Sequence, residues 1–160
     1  MSIRFRTNKA YELRLMVLRE TASKKVHTPQ DIADIWKAEV SKDPYFDPDK
    51  EHFYVFGMDR RNNLKLIDRA TVGILDASLI HPREVFRKAI AAAVAAITVA
   101  HNHPSGDPSP SSEDVQITRQ LVKAGKILDI PVLDHVIIGS ENVTGLRGFI
   151  SMREEGLVQF

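Results

Sequence analysis

Seven residues, AAITVAH at 95–101, form a short apolar run, and the eleven that follow contain three prolines and a glycine. An apolar run of this length bounded by turn residues is the signature of a strand buried on both faces. The proline-rich stretch 102–112 has to be loop. Ser111-Ser112-Glu113-Asp114 then offers a helix start, with a helix expected to about Ala124 and a stop at Gly125. A buried strand, a stiff loop and a helix in that order place residues 101–114 at one end of a sheet covered by helices.

The flanking sequence fits such a sheet. Residues 9–20 alternate at Tyr11, Leu13, Leu15 and Val17, a strand period. Thr28-Pro29 predicts a helix N-terminus, and Ile32, Ile35, Trp36 and Val40 continue it as an amphipathic helix over 29–41. Asp43-Pro44 and Asp47-Pro48 end it in a loop. Strands are expected at 51–59 and 63–73, joined as a hairpin by Arg60-Arg61-Asn62. Residues 75–80 read as a connector, and His81-Pro82 opens a helix to about 93. Residues 131–139 read as a strand, with a short strand or turn near 142–145 and a frayed tail. The order β, α, β, β, α, β, α, β predicts an α/β fold, one mixed sheet with helices on its faces.

Composition narrows the chemistry. A chain of 160 residues with 43% hydrophobic and 27% charged content suits one globular domain. It divides into a basic N-terminal segment with a strand (1–25) and the body of the chain (26–160), a single globular domain overall. The absence of cysteine excludes disulfides, thiolate metal sites and a cysteine nucleophile. No apolar run approaches the ~20 residues that cross a bilayer, and MSIRFRTNKA lacks the apolar core of a secretory signal. A cytoplasmic protein with no membrane partner is expected. Net charge is only +1, but residues 1–27 hold seven Lys/Arg against Glu12 and Glu20. That segment can meet a nucleic-acid backbone or an acidic partner, or can simply be solvated.

The candidate site is HNHPSGDPSPSSED, 101–114. Side chains two apart on a strand leave from one face, so His101 and His103 can present two nitrogens to one ion at ~2.0–2.1 Å. Asp114, in the first turn of the next helix, can add a third ligand. Three N/O ligands with an open fourth position is the pattern of a catalytic zinc site, and one Zn2+ per chain is the expected cofactor. Asp114 can equally be a first-turn carboxylate favoured by the helix dipole, and Ser111 an N-cap in an imperfect capping box. His27, His52 and His81 have ordinary structural readings. An HNH nuclease spreads its three residues over a longer unit, and a nucleobase deaminase needs cysteine ligands.

His101-x-His103, seven residues, Ser111, two residues and Asp114 resemble the JAMM signature of the JAB/MPN metallohydrolases. AHNHPSGDPSPSSED with LDHVIIG at 133–139 and HPREVF at 81–86 resembles the RadC branch. The resemblance covers roughly residues 26–153 and implies a curved mixed sheet flanked by helices, similar to the cytidine-deaminase architecture. It also implies a glutamate at the start of the strand beside the metal strand. Glu51 occupies that place, as general base toward a metal-activated water; Glu84 is the rival. Ser111 is then the donor to the oxyanion. Asp134 and His135 either steady a ligand imidazole or tie the strand end to the loop. The implied activity is zinc-dependent cleavage of a peptide or isopeptide bond in a peptide or protein substrate, since relatives with settled activity cut beside ubiquitin-like modifiers. The RadC branch carries a DNA-repair name, so a repair accessory or metal-dependent nuclease is the alternative. Full-length members have an N-terminal helix-hairpin-helix module, whereas the first forty residues here read as one strand and one helix. A scaffold without catalysis would not need every ligand position filled.

Overall fold

A computed structural model describes residues 24–73, 80–140 and 147–160. The strand expected at 9–20, most of the connector at 75–80 and the strand or turn at 142–145 lie outside the described residues.

The helix after Thr28 starts as its sequence requires. Thr28 Oγ1 accepts from Asp31 N–H, and the Asp31 carboxylate reaches back to the Thr28 backbone N–H, a reciprocal capping box. Helix α1 (Pro29–Ile35) continues into a wider π turn, Trp36–Val40, and buries Ile32, Ile35, Trp36 and Val40. Strands β1 (Glu51–Met58) and β2 (Leu64–Gly73) pair antiparallel as the expected hairpin, with Asn62 left-handed at φ 61 in its turn. Helix α2 (Pro82–Ala91) follows His81, and β3 (Ala96–Asn102) is the buried apolar strand. Helix α3 (Ser112–Leu128) leads into β4 (Val132–Ile138), and β5 (Phe149–Ser151) ends the sheet.

The strand order is β2-β1-β3-β4-β5. Among the described strands β3 and β4 run parallel, joined through α3, and the other pairs are antiparallel. Strand alternation sorts the core into two layers. Phe53 and Val55 of β1 and Ile97 and Val99 of β3 pack with Val85, Phe86, Ile117 and Leu121 of α2 and α3. Tyr54, Phe56 and Met58 of β1, Ala100 of β3 and Val136 of β4 pack with α1. His101, in step with Ile97 and Val99, therefore faces α3. It sits one residue from the carboxyl end of β3, beside the only parallel pair in the described sheet, where open α/β sheets place their ligands.

Two expectations are corrected. Gly125 does not stop α3, which runs one turn further and ends at Asp129 in the left-handed conformation (φ 56). The glycine serves packing instead: a Cβ there would lie 2.6 Å from the backbone oxygen of Ile130 and 3.3 Å from the Phe86 ring. Nor is the tail frayed. Strand β5 pairs with β4, and Met152 and Val158 are buried in the α2/α3 layer.

Gly125→Ala gains helix propensity but sets a methyl group against fixed backbone. Overpacking of this kind costs about 1–3 kcal/mol, so thermal unfolding should shift down by several degrees; an unchanged or raised Tm would show that the α3–β4 junction yields freely.

Candidate metal centre

Three segments converge at the carboxyl end of β3. The first is β3 itself, which carries His101 with no solvent exposure. The second is the loop from His103 to Ser111. It is bound to the sheet where His103 N–H donates to Ile138 O and Ser140 N–H to Gly106 O. Gly139 makes this approach feasible, since a Cβ there would meet Gly106 O at 2.5 Å and Pro108 Cδ at 2.7 Å. The third is the first turn of α3. Ser111 is its N-cap and Asp114 the reciprocal partner, so the capping box is complete rather than imperfect. Asp114 Oδ2 accepts from Ser111 N–H at 2.8 Å and from Ser111 Oγ–H at 2.7 Å.

That cap aims the carboxylate. Asp114 Oδ1 lies 3.2 Å from His101 Nε2, and Oδ2 lies 3.4 Å from His103 Nε2. The two Nε2 atoms are 2.9 Å apart. Ligands at ~2.0–2.1 Å from a tetrahedral ion stand about 3.3 Å from one another, so the donor atoms sit near the edge lengths of such a site. The chemistry of the set agrees. His103 Nδ1 is 2.7 Å from Asp107 O, a carbonyl that can only accept, so the ring donates there and its Nε2 carries the lone pair when neutral. His101, His103 and Asp114 thus form a cluster that can hold a metal ion.

Burial shapes the protonation of each member. It would raise the Asp114 carboxyl, but the His101 and His103 rings set against it and the Ser111 hydroxyl carry it far below the ordinary carboxylate range. Burial lowers His101, against the pull of Asp114. At partly buried His103 the cost of burial is outweighed by Asp114 and the Asp107 carbonyl, and its pKa is raised.

Glu51 joins them. Phe53 pairs with His101 at the end of the antiparallel β1–β3 ladder, so Glu51, which opens β1, lies at the same end of the sheet as His101 and His103. Glu51, His103, Pro104, Ser111, Glu113 and Asp114 line one open cavity of about 370 Å³. Glu84 is not among its lining residues; it sits on α2, partly exposed, paired with Arg83 and Arg87. The two remaining candidates separate. His135 Nε2 lies 2.8 Å from His101 Nδ1 and is fully buried. Asp134 faces the opposite layer, where it accepts from Ser151 Oγ and Arg153 N–H and ties β4 to the tail. His27, His52 and His81 contribute nothing to the cluster.

Asn102 joins the two strands that carry the site, a role its sequence position alone does not reveal. Its side chain accepts from His52 N–H and donates to Lys50 O, clamping the start of β1, and with it Glu51, to the end of β3. The available signal was a polar residue set between two ligands on an otherwise apolar strand.

The family model described as a RadC-like JAB domain matches residues 26–157. A UPF0758 protein of Caldanaerobacter subterraneus subsp. tengcongensis is 43% identical over 147 residues, 92% of this chain and 58% of that protein. A UPF0758 protein of Moorella thermoacetica is 47% identical over 122 residues (76% and 51%), and one of Methanosarcina mazei 36% over 146 (91% and 59%). The chain spans just over half the length of these relatives.

A divalent ion entering this cluster must displace the His103 proton. Because that pKa lies above 6.5, affinity should fall about tenfold per pH unit below it and level off above it. Zinc titrations from roughly pH 5.5 to 8.5 read this directly; a flat profile would remove His103 from the ligand set.

Proposed function

The chain belongs to the RadC-like JAB domain family, and from that premise we propose that it is a zinc-dependent hydrolase of the JAMM type, cleaving a peptide or isopeptide bond. The observation that carries this reading is the placement of an acidic side chain, Glu51, in the same open cavity as a three-ligand cluster of nitrogen and oxygen donors. The set suits zinc, which takes imidazole and carboxylate together and, held by three protein ligands, keeps a fourth position open. His101, His103 and Asp114 would hold it. Once bound, the ion lowers the pKa of a coordinated water from ~15.7 toward ~7 and polarises a carbonyl.

The remaining roles fall to residues of the chain. Glu51 accepts the proton of the attacking water and returns it to the leaving amine, so one carboxyl group serves both halves of the reaction. Ser111 lines the same cavity. Its hydroxyl proton points to Asp114 Oδ2, and rotation about the Cβ–Oγ bond would redirect it toward the oxygen of a carbonyl under attack, as an oxyanion donor. Asn102 and the β1–β3 ladder hold Glu51 in place.

The alternative is a nucleic-acid-linked role, as repair accessory or metal-dependent nuclease. It draws on the basic composition of residues 1–27, whereas the cavity is lined by three acidic side chains, Glu51, Glu113 and Asp114. Two of these carboxylates, Glu51 and Glu113, lie outside the donor cluster, and a phosphodiester would meet their negative charge where a neutral amide would not. DNA binding, if present, should weaken steeply with added salt.

Glu51→Gln should leave zinc content near one per chain and lower hydrolysis of peptide and isopeptide library substrates by ~10²–10⁴. Glu84→Gln should leave both unchanged. Full activity in the Glu51 variant, or loss confined to the Glu84 variant, would transfer the general-base role.

A further inference from the structure

His101 can bind an ion through Nε2 only if its single ring proton sits on Nδ1. Nothing on its own strand imposes that choice. Nδ1 faces His135 Nε2 at 2.8 Å, and an imidazole nitrogen can donate or accept. The answer lies one residue further. His135 Nδ1 lies 2.5 Å from Thr118 Oγ1, and Thr118 Oγ1 lies 2.6 Å from the backbone oxygen of Asp114. All three side chains are fully buried, so water does not compete.

A carbonyl oxygen only accepts. Two oxygens 2.6 Å apart with no proton between them would repel, so the one Thr118 hydroxyl proton must point at Asp114 O. Thr118 Oγ1 then has only lone pairs to offer His135, and His135 Nδ1 must carry the proton. As a neutral ring, His135 has a bare Nε2, which accepts from His101 Nδ1–H. His101 Nε2 is left with its lone pair facing His103 and Asp114.

We propose that Thr118 and His135 form a one-way hydrogen-bond relay that fixes His101 in the tautomer with Nε2 free to bind a metal ion. Both act as positioning residues, touching neither ion nor substrate. The relay starts from the backbone of Asp114, so one ligand residue orders the ring proton of another through two buried side chains. It complements His103, whose tautomer is set directly by the Asp107 carbonyl. Support of this kind behind a ligand imidazole is typically worth 10–100-fold in metal affinity.

The inference rests on the metal-site reading above, and the test separates the two. Zinc affinity is measured on the full chain by competition with a chelating dye, for wild type, Thr118→Val and Thr118→Ser. Valine keeps the shape and removes the hydroxyl, leaving the His135 ring free to turn its proton toward His101. It should weaken zinc binding by about 10–100-fold, and serine should restore it. Equal affinity in the valine variant, or a serine variant as weak as valine, overturns the relay. In the metal-free wild type, nitrogen NMR of the histidine rings should find His135 protonated at Nδ1 and bare at Nε2. A proton on His135 Nε2 overturns the relay whether or not the variants fold. A wild type that binds no zinc refutes the metal reading alone, and the ring tautomers still decide the relay.

Discussion

The buried carboxylate of Asp114 is the interaction on which the rest of this structure turns. Removing a carboxylate from water costs several kcal/mol unless charge and hydrogen bonds replace the lost hydration. Here Ser111 donates its N–H and hydroxyl to the carboxylate, and the rings of His101 and His103, from two other segments, face it at 3.2 and 3.4 Å. The N-terminal end of the α3 dipole adds a favourable field. Each partner has its own structural reason to be there, but only one arrangement satisfies all of them. The helix must begin at Ser112, the strand must deliver His101 one residue before its end, and the loop between must return close enough for His103 to meet both. The order of strand, loop and helix is thereby converted into a fixed geometry.

The same carboxylate does two jobs that are usually separate. As the partner in a capping box it stabilises a helix start, and as part of a donor cluster it faces two imidazoles. The dual use explains why the structural and the ligand reading of Asp114 cannot be told apart from sequence. They are not alternatives. The cap is what aims the carboxylate at the two imidazoles, and a loss of Ser111 would disturb the helix start and the donor cluster together.

What was legible in the sequence follows from how local each signal is. The Thr28 cap, the hairpin at 60–62 and the apolar strand 96–102 depend on near neighbours, and each formed where its residues indicated. Two histidines at strand spacing followed by a capped helix likewise carry their geometry within fourteen residues. The misreadings are all tertiary. Gly125 looks like a stop because glycine usually ends helices, yet here it admits the Ile130 carbonyl and the Phe86 ring. The tail looks frayed because nothing in its own sequence shows that β4 offers it a free edge. Asp134 and His135, adjacent in sequence, could not be assigned separately until alternation sent one to each face of the sheet: His135 toward α3 and the cluster, Asp134 toward Ser151 and Arg153. Asn102 was invisible for the same reason, since its partners His52 and Lys50 lie 50 and 52 residues away in sequence.

The two sides of the cluster differ in a way that bears on what it can bind. His101, His135 and Thr118 form a dry wall with no exposure. A hydrogen-bonded wall in a low dielectric is rigid, because any rearrangement leaves a buried polar atom unpaired. His103, Glu51 and Ser111 form the open side, where a solvent molecule and a substrate can enter. A divalent ion held between them would be positioned from behind and exposed in front. Two acidic side chains outside the donor cluster, Glu51 and Glu113, also line the mouth. An anionic phosphate approaching that mouth meets repulsion at close range, where screening by salt is weakest. An uncharged amide meets none, and its carbonyl oxygen needs only a positive centre and a hydroxyl donor to accept charge as the bond is attacked. The Glu51 and Glu113 carboxylates, which lie outside the donor cluster, are thus in keeping with the proposed amide chemistry.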